Sequence, residues 1–192
     1  MSTGPRSSPA AGLIGPGRLL LVVGPSGAGK DTVIAGAKAA SAHDPAIVFP
    51  RRVVTRIATE AEEHDSLDDA GFEHALADGD FAFWWQAHGL RYGIPRSVDD
   101  DIRAGHTVIC NVSRGAVADL GGRYARIVAI LITAPADILA ERLSGRSRTS
   151  DGSLHQRVKR NDAYVNFRTD YTINNIGAPE KAVRLFLDII NG

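Results

Sequence analysis

Apolar residues along this chain come in short unbroken runs separated by polar, glycine-bearing turns. Leu19 to Val23 is the first such run, five apolar positions without an interruption. A run of that length with no alternation predicts a strand buried on both faces. A glycine-rich turn follows, then helix-compatible sequence from Asp31 to Ala42, closed by His43-Asp44-Pro45. The pattern repeats downstream. Thr107 to Val112 reads as a strand followed by a short helix over Ser113 to Leu120, and Arg126 to Thr133 as a strand followed by a helix over Pro135 to Leu143. Tyr171 to Asn174 predicts a last short strand. Pro179 to Ile190 predicts an amphipathic helix with Val183, Phe186, Leu187 and Ile190 turned inward. Strands alternating with helices give an α/β fold, a parallel sheet covered by helices on both faces.

Two stretches break the alternation. Residues 51–97 are rich in Arg, Asp, Glu, His and aromatics, which predicts an insert with Trp84 and Trp85 in its core. Residues 144–158 carry Arg146, Arg148 and Arg157 among Ser, Gly, Thr and Asp, the composition of a lid. Residues 1–17, dominated by Ser, Pro, Gly and Ala, are expected to be a disordered tail, leaving 18–192 as a single domain.

Composition narrows the functional classes. Twenty-two basic residues balance 22 acidic ones, so no global field favours nucleic acid. No run approaches the length of a membrane span. Cys110 is the only cysteine, which excludes an intramolecular disulfide and fits a cytoplasmic setting. Its position in a strand predicts a small buried apolar role. The six histidines show no metal-ligand spacing, and His88 reads as a turn residue. Nothing in the sequence sets an oligomeric state.

The strongest chemical signal is Gly24-Pro25-Ser26-Gly27-Ala28-Gly29-Lys30, the P-loop spacing set between a buried strand and a helix. Glycines there let successive N–H groups turn inward as an anion nest, and the helix N-terminus adds its positive end. Lys30 then reaches the phosphates of ATP. The residue after the lysine is usually a hydroxyl that ligates Mg²⁺, but here it is Asp31. Its carboxylate is a hard oxygen ligand for Mg²⁺, and equally a first-turn acid favoured by the helix dipole. Thr32 completes the nucleotide-binding set, although it lies about 100° further round the helix.

These residues, with Arg52-Val53-Val54-Thr55-Arg56, Tyr92-Gly93 and Gly145-Arg146 in the same order, resemble the guanylate kinase superfamily from Arg18 to the C-terminus. Within it, three features depart from the guanylate kinases. The position of their guanine-reading glutamate is Phe83, their acidic strand end is Asn111-Val112-Ser113-Arg114, and their Tyr-His-Phe is replaced by residues 62–67. A phenylalanine accepts no hydrogen bond from a guanine edge. The Gly-Lys-Asp ending of the cradle, His88 to Gly93, Asn111 to Arg114 and the pair Asn174-Asn175 instead resemble the ribose 1,5-bisphosphate phosphokinases of phosphonate catabolism.

That resemblance implies a P-loop NTPase three-layer fold and a kinase that uses ATP and Mg²⁺ to convert a small phosphosugar into 5-phosphoribosyl 1-diphosphate. It implies catalytic roles for Lys30, Arg146 and Arg157, and places Arg148 and Asn174 with the cradle at ATP. It implies acceptor contacts from Arg52, Thr55, Arg56, Tyr92, Ser113 and Arg114, with Arg56 and Arg114 foremost at the phosphate; Glu62 is a candidate for a ribose hydroxyl. Two alternatives stand beside it, a guanylate kinase and a guanylate kinase-like binding module without catalysis.

Overall fold

The apolar run opening the chain does form the first strand, β1 (Arg18–Val23), and Leu19 to Val23 are wholly buried. A computed structural model describes residues 12–57, 64–120, 122–144 and 168–192. The chain divides into two compact units, Met1–Leu19 with Ala46–Ile127 and Leu20–Pro45 with Val128–Gly192. Five strands form one sheet in the order β2-β7-β1-β8-β9, where β2 is Ile47–Val48, β7 Thr107–Asn111, β8 Ile127–Thr133 and β9 Tyr171–Asn174. The pairings of β2 with β7 and of β8 with β9 are parallel, in keeping with the predicted βαβ alternation. The other strands, introduced below, form a separate four-stranded sheet.

In the unit built on Leu20–Pro45 and Val128–Gly192, α1 (Lys30–Ala40) and α6 (Pro179–Asn191) pack on one another. Gly36 makes that approach close, because a Cβ there would stand 2.6 Å from Val183. The buried stripe of α6 is Ala182, Phe186 and Ile190, spaced four apart. Val183 and Leu187, expected inward, are half-buried on its flank. The helix is thus turned slightly from the expected face, which seats the small Ala182 inside. Between β8 and the undescribed stretch lies α5 (Ala136–Ser144), preceded by Pro135 as the sequence predicts.

The unit containing Ala46–Ile127 holds the segment set apart as an insert. Its sheet runs β4-β3-β6-β5, from β3 (Arg52–Val54), β4 (His64–Ser66), β5 (Phe81–Ala87) and β6 (Leu90–Pro95). Helix α2 (Asp69–Asp78) starts at Asp68, whose carboxylate accepts from Gly71 N at 2.7 Å, and stops at Gly79 in the left-handed region. His88 and Gly89, both at positive φ, turn β5 into β6, so His88 is the turn residue the sequence suggests.

Strand periodicity sorts the aromatics of this sheet onto two faces. Phe83, Trp85 and Tyr92 share one face. Trp85 and Tyr92, direct partners across the pair, stack at 5.2 Å and 6°. Trp84 lies on the other face against Phe72. Phe81 joins it, stacked on Phe72 at 4.7 Å, because the register shifts between Phe81 and Phe83 and so reverses the alternation. Gly93 is required here, since a Cβ would meet the Phe81 ring at 2.5 Å.

Beyond the insert, α3 (Ser97–Arg103) leads to β7 and then to α4 (Arg114–Asp119). Asp99, only 2% exposed, accepts from Tyr124 Oη at 2.8 Å and from Arg123 Nη2 at 2.5 Å. That buried carboxylate is both paired and hydrogen-bonded, as one must be. Cys110 is buried in β7, and desolvation pushes its thiol pKa up, so the apolar role expected for it fits.

Candidate functional site

The phosphate cradle joins the end of β1 to α1, and its glycines stand where side chains cannot. A Cβ on Gly24 would lie 2.0 Å from Ile132 O. Gly27 and Gly29 adopt φ of 84° and 81°, the left-handed conformation that L residues enter at a cost. Pro25 and Ala28 are buried, and Ser26 is exposed at the tip. With Gly29 as N-cap, α1 begins where Val33 N bonds Gly29 O at 3.0 Å. The early amides of α1 and of the loop thus supply the donors that an anion nest requires.

Lys30 Nζ donates to Gly24 O at 2.9 Å and to Pro25 O at 3.1 Å. The ammonium is therefore held against the cradle's own carbonyls. Asp31 and Thr32 are exposed on the first turn of α1. Among the described residues no cluster of three or more His, Cys, Asp or Glu could hold a metal ion. A divalent cation at this cradle would therefore take most ligands from water and phosphate, the habit of Mg²⁺, with Asp31 on the first turn of α1 as the candidate protein carboxylate.

Two residues outside the expected set of site contacts brace the cradle. Asn175, 4% exposed, donates its amide to Ala28 O at 2.8 Å. Arg142 of α5 donates to Gly27 O at 3.4 Å and to Asn175 O at 3.1 Å. One guanidinium thus ties the loop after β9 to the phosphate loop. Asn174, the expected nucleotide contact, is exposed at the end of β9, and its neighbour is the one turned under the cradle. The asparagine pair marked the place, but not which member faced inward. For Arg142 the sequence carried no signal, since an arginine in a last helical turn ordinarily interacts with solvent and the helix dipole.

The expected acceptor residues lie in the other unit. Arg52 projects from β3 with its guanidinium carbon 5.9 Å from the Tyr92 ring centre. The Thr55 hydroxyl accepts from Arg91 N at 2.9 Å, which leaves its proton available to donate. Arg56 follows in the bend after β3 and is half-buried. Ser113 caps α4, its hydroxyl accepting from Ala116 N at 3.4 Å, and Arg114 is the first residue of that helix. So the structure brings Arg52 and Tyr92 together on one aromatic face, and sets Ser113 and Arg114 side by side just beyond β7. Glu62, Arg146, Arg148 and Arg157 lie outside the described residues.

Other arginines of the insert are committed elsewhere. Arg91 pairs with Asp69 at 2.9 Å and with Glu73, and covers the Phe72 ring. Arg51 pairs with Asp65 at 2.9 Å, and Arg96 donates to Gly79 O.

Comparison with known proteins places this architecture. No family model matches the chain. In three dimensions the chain is similar to a guanylate kinase from Anaplasma phagocytophilum, with a TM-score of 0.65 over 93% of this chain and 87% of that one. At 21% identity that likeness concerns the fold. In sequence it is 54% identical over 178 residues to the ribose 1,5-bisphosphate phosphokinase PhnN of Rhodopseudomonas palustris, covering 93% of this chain and 90% of the relative. It is 47% identical over 180 residues to the protein of the same name from Bradyrhizobium diazoefficiens, covering 94% and 91%. A glycine-rich cradle on a guanylate kinase-like fold agrees with that likeness: the chain is a kinase and belongs to the ribose 1,5-bisphosphate phosphokinase PhnN family.

Proposed function

We propose that the protein transfers the γ-phosphoryl group of ATP to the 1-phosphate of ribose 1,5-bisphosphate, giving 5-phospho-α-D-ribose 1-diphosphate and ADP. The observation that carries this reading is the 54% identity to a protein of that activity by name, over nearly the whole chain. The chemistry of the residues supports it. A phosphate monoester has its second pKa near 6, so at neutral pH its oxygen is already the nucleophile. No general base is required, and Asn111 at the end of β7 suits a site that has none. The obstacle is repulsion between two polyanions, which calls for fixed cations and donors.

The cradle amides hold the ATP phosphates, and Lys30 exchanges its two carbonyl partners for phosphate oxygens when nucleotide arrives. Asp31 would hold Mg²⁺, directly or through its water, and the ion would supply neutralisation of phosphate charge. Arg142 and Asn175 keep the cradle rigid, so its donors need no reorganisation at the moment of transfer. Arg146, Arg148 and Arg157 close over the nucleotide and exclude water. Arg56 and Arg114 hold the acceptor phosphate, Tyr92 and Ser113 donate to it, and Thr55 and Glu62 orient the sugar. Phe83 is 7% exposed and offers no acceptor, so a guanine edge would be left unpaired there. ATP as donor and a lone thiol fit a cytoplasmic setting.

The test is ATP consumption with ribose 1,5-bisphosphate, GMP or gluconate as acceptor, with the product followed by phosphorus NMR. The expected result is a new diphosphate signal and fastest turnover with ribose 1,5-bisphosphate. Faster turnover of GMP would refute the acceptor and leave the kinase intact.

A further inference from the structure

Arg52 differs from the other arginines of its sheet. Arg51, one residue earlier and on the opposite side of the strand, is paired with Asp65, and Arg91 is paired with Asp69 and Glu73. Arg52 is half-buried, and its Nε is buried without a hydrogen-bond partner. Its described contact is the Tyr92 face, itself stacked on Trp85. The buried Nε, with no carboxylate beside it, loses hydration that nothing in the described protein returns. Such a donor set is arranged for an anion that arrives from outside.

The surroundings indicate which anion. Tyr92, half-buried and backed by the buried Trp85, presents an apolar ring beside the guanidinium, suited to the carbon face of a sugar ring. Arg56 lies four residues further on, in the bend that follows β3. One arginine in β3 against an aromatic ring and another in the bend after it offer two cations, as a sugar with a phosphate at each end requires. Arg56 and Arg114 already serve the reacting phosphate in the function proposed above, on which this step rests. We infer that Arg52 binds the second, non-reacting phosphate of the acceptor, the 5-phosphate, and so selects a sugar bisphosphate over a monophosphate.

The experiment compares kcat/KM for ribose 1,5-bisphosphate with kcat/KM for α-D-ribose 1-phosphate, which keeps the reacting group and lacks the other phosphate. In Arg52→Met, whose side chain keeps an apolar stem against Tyr92, the ratio of the two should fall about 10- to 100-fold, the worth of a hydrogen bond to a charged group. Arg52→Lys, which keeps the charge and loses the fork, should fall between Met and wild type and guards against misfolding of the first variant. A general loss of stability lowers both substrates together and leaves the ratio in place. An unchanged ratio in both variants overturns the assignment of Arg52 while the reaction stands. No turnover of ribose 1,5-bisphosphate by the wild-type protein overturns the reaction itself, and this assignment with it.

Discussion

Gly29→Ala examines the cradle at its tightest point. Gly29 has φ of 81°, and a Cβ there would lie 2.4 Å from Asn175 Nδ2. The left-handed backbone alone costs an L residue about 1–2 kcal/mol. The new methyl must also displace the Asn175 amide, which now donates to Ala28 O at 2.8 Å. Losing that bond costs about another 1 kcal/mol, and leaving the buried Ala28 carbonyl unsatisfied raises the figure further. The single substitution should therefore destabilise the protein by about 2–4 kcal/mol. In an Asn175→Ala background the steric conflict is gone, so adding Gly29→Ala should cost only the backbone part, about 1–2 kcal/mol. Urea unfolding followed by circular dichroism of the four proteins closes this cycle and gives the coupling, expected at about 1 kcal/mol or more. Equal costs in the two backgrounds would show that Asn175 does not press on Gly29. A cost below about 0.5 kcal/mol would refute the left-handed cap as well.

Lys30→Ala should lower kcat by about 100-fold or more with little loss of stability, because the bonds Nζ makes to the loop carbonyls of Gly24 and Pro25 are ones that water can replace; near-normal steady-state turnover would remove Lys30 from the mechanism. For Asp31→Asn the Mg²⁺ concentration giving half-maximal rate should rise, and an unchanged titration would return Asp31 to a helix-start acid. Tyr124→Phe removes the hydroxyl that donates to buried Asp99, and should cost about 1.5–3 kcal/mol in urea unfolding while leaving KM for ATP in place. A neutral effect on stability would mean that Arg123 alone satisfies that carboxylate.

Long-period features were legible in the sequence because they depend on local pattern. Leu19 to Val23 read as a buried strand, and β7, β8, β9 and their helices fell within a residue or two of their expected bounds. The cradle was equally legible, since Gly24, Gly27 and Gly29 are needed for backbone geometry that is fixed within a few residues. The insert was legible only as a change in composition. Its strands of three residues are too short to show a period, and Ile47–Val48 is a strand only because β7 lies beside it. The shift that moves Phe81 to the face of Trp84 cannot be read from alternation, which it interrupts.

The P-loop and the cast of arginines were thus determined by the sequence itself: residue type and spacing suffice where chemistry needs a nest of amides and fixed positive charge. Tertiary structure decided which of those groups are committed and which remain available for a ligand. Arg91 and Arg52 are indistinguishable as letters, yet one is matched to two carboxylates and the other is set on a tyrosine with its Nε buried and unpartnered. Likewise Asn175, not Asn174, turns under the cradle, and Arg142 locks it there. Those distinctions depend on partners dozens of residues away, and only the folded chain brings them within hydrogen-bonding distance.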